Sequence, residues 1–183
     1  DAAAQLQGKK SMMNQDAKAM QMGHEGHCDL ENTMKMEFSQ EAETKLGDLL
    51  KVYLNLKDAL VASDQELTQT LAKKGAGIAS ELSGMQMDDM GKSHITQLAG
   101  QLKEMGSKSE LEGQREVFVS LSQNMIQIGR QMQGLDAKLY VQNCPMANND
   151  KGANWLSLEE EIRNPYYGDT MLTCGSIIDT ISN

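Results

Sequence analysis

Leu111, Phe118, Met125 and Met132 stand at strict seven-residue spacing, and Leu121, Ile128 and Leu135 fill the complementary positions. Such a repeat places the large apolar side chains on one face of an α-helix, and that face has to be buried against something. Ser109-Glu110-Leu111-Glu112 reads as the capping box that opens this helix. Similar stripes precede it. Leu46, Leu49, Tyr53, Leu56 and Leu60 recur at three- and four-residue steps and predict a first helix ending near Ser63. Ser63-Asp64-Gln65-Glu66 then reads as the capping box of a second, whose apolar face is Leu67, Leu71, Ile78 and Leu82. Gly75 and Gly77 weaken its middle by roughly 1 kcal/mol each relative to alanine. Ile95, Leu98, Leu102 and Met105 predict a third helix from about Asp88 to Met105, with Gly106 as its stop.

Four amphipathic helices joined by short loops are most simply satisfied by an antiparallel up-down four-helix bundle, so the expected fold class is all-α. After Gly134 the character changes, because Tyr140, Trp155, Tyr166 and Tyr167 gather there with both prolines. Large aromatic rings fix irregular chain against a bundle, which predicts an aromatic-rich C-terminal cap over residues 136–183. Within it Leu139-Tyr140-Val141 reads as a short extended segment, and Ile177, Ile178 and Ile181 as a short last helix. Residues 1–36 show no sustained apolar periodicity and are expected to form a flexible Met- and His-rich tail, leaving 37–183 as the bundle domain.

A formal net charge of -9 without any run of lysine or arginine argues against a nucleic-acid partner. No apolar stretch approaches the roughly 20 residues that cross a bilayer, so no membrane span is expected. The opening Asp1-Ala2-Ala3-Ala4 fits either the product of signal removal or an arbitrary boundary. H-E-x-x-H, G-x-S-x-G, Walker, dinucleotide-binding and haem-attachment motifs are all missing, so the expectation is a protein without catalytic activity.

Sulfur is the chemistry that stands out. Fourteen methionines face one tryptophan, four tyrosines and two phenylalanines, and thioethers either fill irregular cores or bind soft metals. Cys144-Pro145-Met146 and Met171-Leu172-Thr173-Cys174 mirror each other as C-x-M and M-x-x-C. Thiolate and thioether donors select Cu(I) or Ag(I), and thiolates also take zinc. The same two cysteines equally suit a structural disulfide, which would contribute roughly 3–4 kcal/mol by closing its loop, or two buried free thiols. With three cysteines in the chain, at least one thiol stays outside any such pair. His24-Glu25-Gly26-His27-Cys28 sets two imidazoles and a thiol within five residues among Met12, Met13, Met20, Met22, Met34 and Met36. Short clusters of this type wrap a metal without a fold. His94, in line with Leu98 and Met87 on the third helix, reads either as a hydrogen-bonded core histidine or, with Met87 and Met90, as a copper ligand face.

The runs Leu139-Tyr140-Val141-Gln142-Asn143-Cys144-Pro145-Met146-Ala147, Gly152-Ala153-Asn154-Trp155-Leu156-Ser157, Ile162-Arg163-Asn164-Pro165-Tyr166-Tyr167-Gly168 and Met171-Leu172-Thr173-Cys174-Gly175 resemble a bacterial family of uncharacterised helical domains. That family occurs as stand-alone exported proteins and at the C-terminus of membrane-fusion subunits of copper and silver efflux pumps. The resemblance runs from about Glu41 to the end. It departs around the third helix, where this chain has Met90 and His94 and no tryptophan. It implies a helical domain, a periplasmic or envelope location, and heavy-metal handling with an efflux-pump membrane-fusion protein as partner.

The expected function is therefore a buffer or relay of Cu(I) or Ag(I), with zinc as a further candidate, held by Cys144, Met146, Met171, Cys174, His24, His27, Cys28 and His94. The alternative is an interaction module of an envelope assembly without its own metal site.

Overall fold

A computed structural model describes residues 35–182 of the chain. Four long helices come first: α1 (Gln40–Val61), α2 (Gln65–Ser83), α3 (Asp89–Ser107) and α4 (Leu111–Gly129). Consecutive helices pack on one another, with α2 lying against both α1 and α3. Strands β1 (Leu139–Cys144), β2 (Ala153–Ser157) and β3 (Ser176–Ile181) then form an antiparallel sheet in the order β2-β1-β3. The fold is thus mostly helical with a small sheet, and the all-α expectation holds only for the first part of the chain.

Three helices start on side-chain caps that hold free backbone N–H groups. Ser39 accepts from Ala42 N, Asp64 from Leu67 N at 2.9 Å, and Asp88 from Gly91 N at 2.8 Å. Two predicted boxes begin one residue late as a result. Asp64, not Ser63, caps α2, and Ser63 turns left-handed (φ 56°) with its hydroxyl accepting from Arg115. Glu110 precedes α4 without a side-chain cap bond. Gly106 does not stop α3, which runs on to Ser107 with Gly106 buried against Lys73.

The apolar faces of α1 and α3 are buried as their periodicity predicts; on α4 Phe118, Leu121, Met125 and Ile128 are buried and Leu111 partly so, and the helix ends at Gly129, before Met132 and Leu135. The face of α2 differs. Leu67 is 46% exposed, and the buried stripe is Thr68, Ala72, Gly75, Ala79 and Leu82. Because α2 lies between α1 and α3, small residues let its backbone approach both. A Cβ on Gly75 would already sit 3.1 Å from Leu102 and 3.3 Å from Val52. Met36, assigned to the tail by composition, is also core, at 5% exposed.

The sheet joins the helices through β2, which lies against α4. Tyr53 of α1 shares a hydrogen bond between its buried hydroxyl and that of Ser122 of α4 at 2.7 Å and accepts from Leu156 N of β2 at 3.0 Å. Burial pushes that phenol well above its ordinary pKa, so it stays neutral. Its ring stacks on Phe118, and contacts continue to Tyr166 and then to Trp155, joining α1, α4, the 158–175 loop and β2. Arg115 ties the same region from α4, donating to the carbonyls of Pro165 and Leu60. Partial burial lowers its pKa.

The predicted last helix is instead β3. Isoleucines lose side-chain freedom in a helix and fit a pleated surface, and β1 offers them an edge to pair with. A register shift between Val141 and Gln142 leaves Ile178 between paired positions, so the run has no clean alternation. The extended reading of Leu139–Val141 holds within β1.

Candidate metal centre

Cys144 is the last residue of β1, opposite Ala153 of β2, and its side chain is fully buried. Cys174 follows the 3-10 turn Gly168–Met171 and immediately precedes Gly175 and β3. Thirty residues apart in sequence, the two thiols meet at an Sγ–Sγ distance of 3.2 Å. Cys144 is sealed inside, whereas Cys174 is half-buried at the rim.

The loop that delivers Cys174 is fastened at several points. Its own N–H donates to Met171 O at 3.0 Å, and its carbonyl accepts from the amide of the buried Asn164 at 3.0 Å. Asn164 N donates to Leu172 O, and Asn164 Oδ1 accepts from Tyr166 N, so one side chain organises both arms of the loop. The Asn164-Pro165 pair is a turn signal in the sequence, but nothing in it says which carbonyl the amide will hold. Gly175 has φ 145°, and a Cβ there would lie 2.7 Å from Asn143 O and 3.1 Å from Trp155. Only glycine brings Cys174 this close to β1.

The thiol of Cys144, together with partial burial, raises the pKa of Cys174 above its ordinary value. A metal bound there would have to expel a proton from it. Tyr167 stands nearby, its phenol raised by desolvation and then by Cys144, Asp150 and Cys174, and its hydroxyl donates to Met146 O at 2.7 Å. After Pro145 the chain makes a left-handed turn through Asn148, Asn149 and Asp150, residue types that tolerate positive φ.

The two methionines of the mirrored motif lie on the same two loops. Met146 is 46% exposed and Met171 half-buried, and the contacts described for both run through their carbonyls. The structure brings the two thiols together and carries Met146 and Met171 on the same two loops.

His94 is half-buried on α3, and its Nδ1 donates to Asn124 Oδ1 on α4 while Asn124 Nδ2 donates back to His94 O at 2.9 Å. The shallow groove there is lined by Gln97, Gln101, Ser120, Gln123 and Gln127, and none of its lining residues is a cysteine. His94 is thus hydrogen-bonded to α4 through Asn124. His24, His27 and Cys28 lie outside the described residues.

Structural zinc sites take four nitrogen or sulfur ligands. Among the described residues no group of three or more histidine, cysteine, aspartate or glutamate side chains converges. The two cysteines alone are half of such a set, and thiolate donors suit a soft monovalent ion as well as zinc. Two thiolates on a tetrahedral ion at the usual metal–sulfur length stand about 3.8 Å apart, so the pair opens by roughly 0.6 Å to chelate.

Residues 49–136 match the model of a family described as a protein of unknown function (DUF3347). The matched residues run from α1 to the connection before β1 and stop short of both cysteines. No curated protein and no solved structure matches the chain.

Proposed function

We propose that the chain binds a soft monovalent metal, Cu(I) or Ag(I), through Cys144 and Cys174, with Met146 and Met171 as supporting thioethers. The observation that carries this reading is the meeting of two thiols at 3.2 Å in a fold that seals one and leaves the other at the rim. A buried hydrophobic surround strengthens thiolate–metal bonding, and a rim position gives the ion a way in and out. In this reading His24, His27 and Cys28 capture metal and the dithiol holds it, as a buffer or relay in the cell envelope. The resemblance of the last quarter to domains of copper and silver efflux subunits supports an efflux system as recipient.

Titration of the reduced full-length Cys28→Ser chain with Cu(I) against a competing chelator tests the site without the tail thiol. One equivalent is expected at the dithiol, lost in Cys144→Ser and in Cys174→Ser. Uptake unchanged by either substitution would sink the assignment.

The interaction-module reading has its own observation. β3 is an edge strand, with Ile177 and Ile178 40% and 55% exposed, and such an edge is open to strand addition. Retention of that role with no metal uptake by the reduced protein would favour it.

A further inference from the structure

We infer that Cys144 and Cys174 form a thiol–disulfide exchange centre, in which a disulfide closes the same site that the dithiol offers to metal. The consequence for metal rests on the reading above; the exchange chemistry rests on geometry alone. At 3.2 Å the sulfurs stand between two end states. A disulfide needs about 2.05 Å, and a tetrahedral chelate about 3.8 Å. Both are reached by small side-chain movements on a backbone that is already fastened, Cys144 by the β1–β2 ladder and Cys174 by Asn164 and Met171.

Burial fixes the order of events. A small disulfide reaches the half-buried Cys174 and not the sealed Cys144. The Cys174 thiolate attacks one sulfur of the incoming disulfide, forms a mixed disulfide and releases one thiolate. Cys144, having lost its proton, then attacks Cys174 Sγ and expels the second thiolate. Two protein thiols are oxidised to one disulfide, the external disulfide is reduced to two thiols, and the two protons pass to the released thiolates. Cys144 thus resolves what Cys174 captures, and the closed pair has no thiolate left to hold a metal.

The test uses full-length Cys28→Ser protein incubated with oxidised glutathione, then acid-quenched, alkylated and weighed. The expected result is loss of both alkylatable thiols with no glutathione attached. Cys144→Ser should accumulate glutathione on Cys174, and Cys174→Ser should remain unmodified, each with unchanged helical circular dichroism. A chain that keeps both thiols, or that carries stable glutathione without closing, would overturn the inference. Silver uptake, read separately, keeps the two proposals apart. Closure together with undiminished uptake by the oxidised protein would remove the metal assignment and leave the exchange centre standing. Uptake by the reduced protein without closure would do the reverse.

Discussion

Replacing Trp155 with alanine is expected to lower the unfolding free energy by about 3–5 kcal/mol, the range for removing a large buried aromatic. Trp155 is fully buried on β2 and meets Tyr166 edge-on at 5.9 Å, while Tyr166 lies 5.7 Å from Phe118 and Phe118 is stacked at 5.4 Å on Tyr53. Its removal empties the joint where α1, α4, the sheet and the Cys174 loop meet. Trp155→Phe is the informative control. Its ring keeps most of the packing, and the indole N–H that disappears has no hydrogen-bond partner among the described residues, so its burial carries an uncompensated cost. Urea denaturation should rank wild type, Trp155→Phe and Trp155→Ala in that order, with the second step the larger. Equal losses in both variants would contradict the assignment of the stability to aromatic packing that a phenyl ring largely keeps.

Gly175→Ala is expected to cost about 1–3 kcal/mol and to disturb the thiol pair as well. The residue sits at φ 145°, and its new methyl would lie 2.7 Å from the carbonyl of Asn143 on β1, a backbone atom that cannot swing aside. Relief requires β3 or the Cys174 turn to move outward, which separates Cys174 from Cys144. Stability and the rate of disulfide closure should therefore fall together. Gly77→Ala, where a Cβ meets nothing within 4 Å inside α2, should instead gain up to about 1 kcal/mol and leave closure unchanged. Normal closure in Gly175→Ala would show that the pair does not depend on this tight turn.

Legibility followed the size of the apolar side chains. In α1, α3 and α4 large residues at three- and four-residue steps mark the buried face, although α4 ends at Gly129 while its apolar repeat runs on through Met132 to Leu135. In α2 the buried face is threonine, alanine and glycine with Leu82, because the helix is squeezed between two others; of the face that hydrophobic spacing marks, Leu82 is buried, Leu71 and Ile78 are partly buried, and Leu67 faces solvent. The β3 isoleucines fit a helical step as well as a bulged strand, and only the pairing partner β1 decides between them. At the candidate site the spacing of Cys144, Met146, Met171 and Cys174 marks the right two loops. The thiol contact depends on Asn164 and Gly175, whose parts are set by distant carbonyls that no local pattern displays. His94 illustrates the converse, a lone histidine whose partner, Asn124, lies thirty residues away on the next helix.

X-ray absorption at the copper edge of the reduced, Cu(I)-loaded, full-length Cys28→Ser protein tests the metal assignment most directly, because it reports which atoms surround the ion. The account predicts a shell of sulfur that is lost when Cys144 and Cys174 are both replaced by serine. A shell dominated by nitrogen, or a sulfur shell that survives that double replacement, would contradict it.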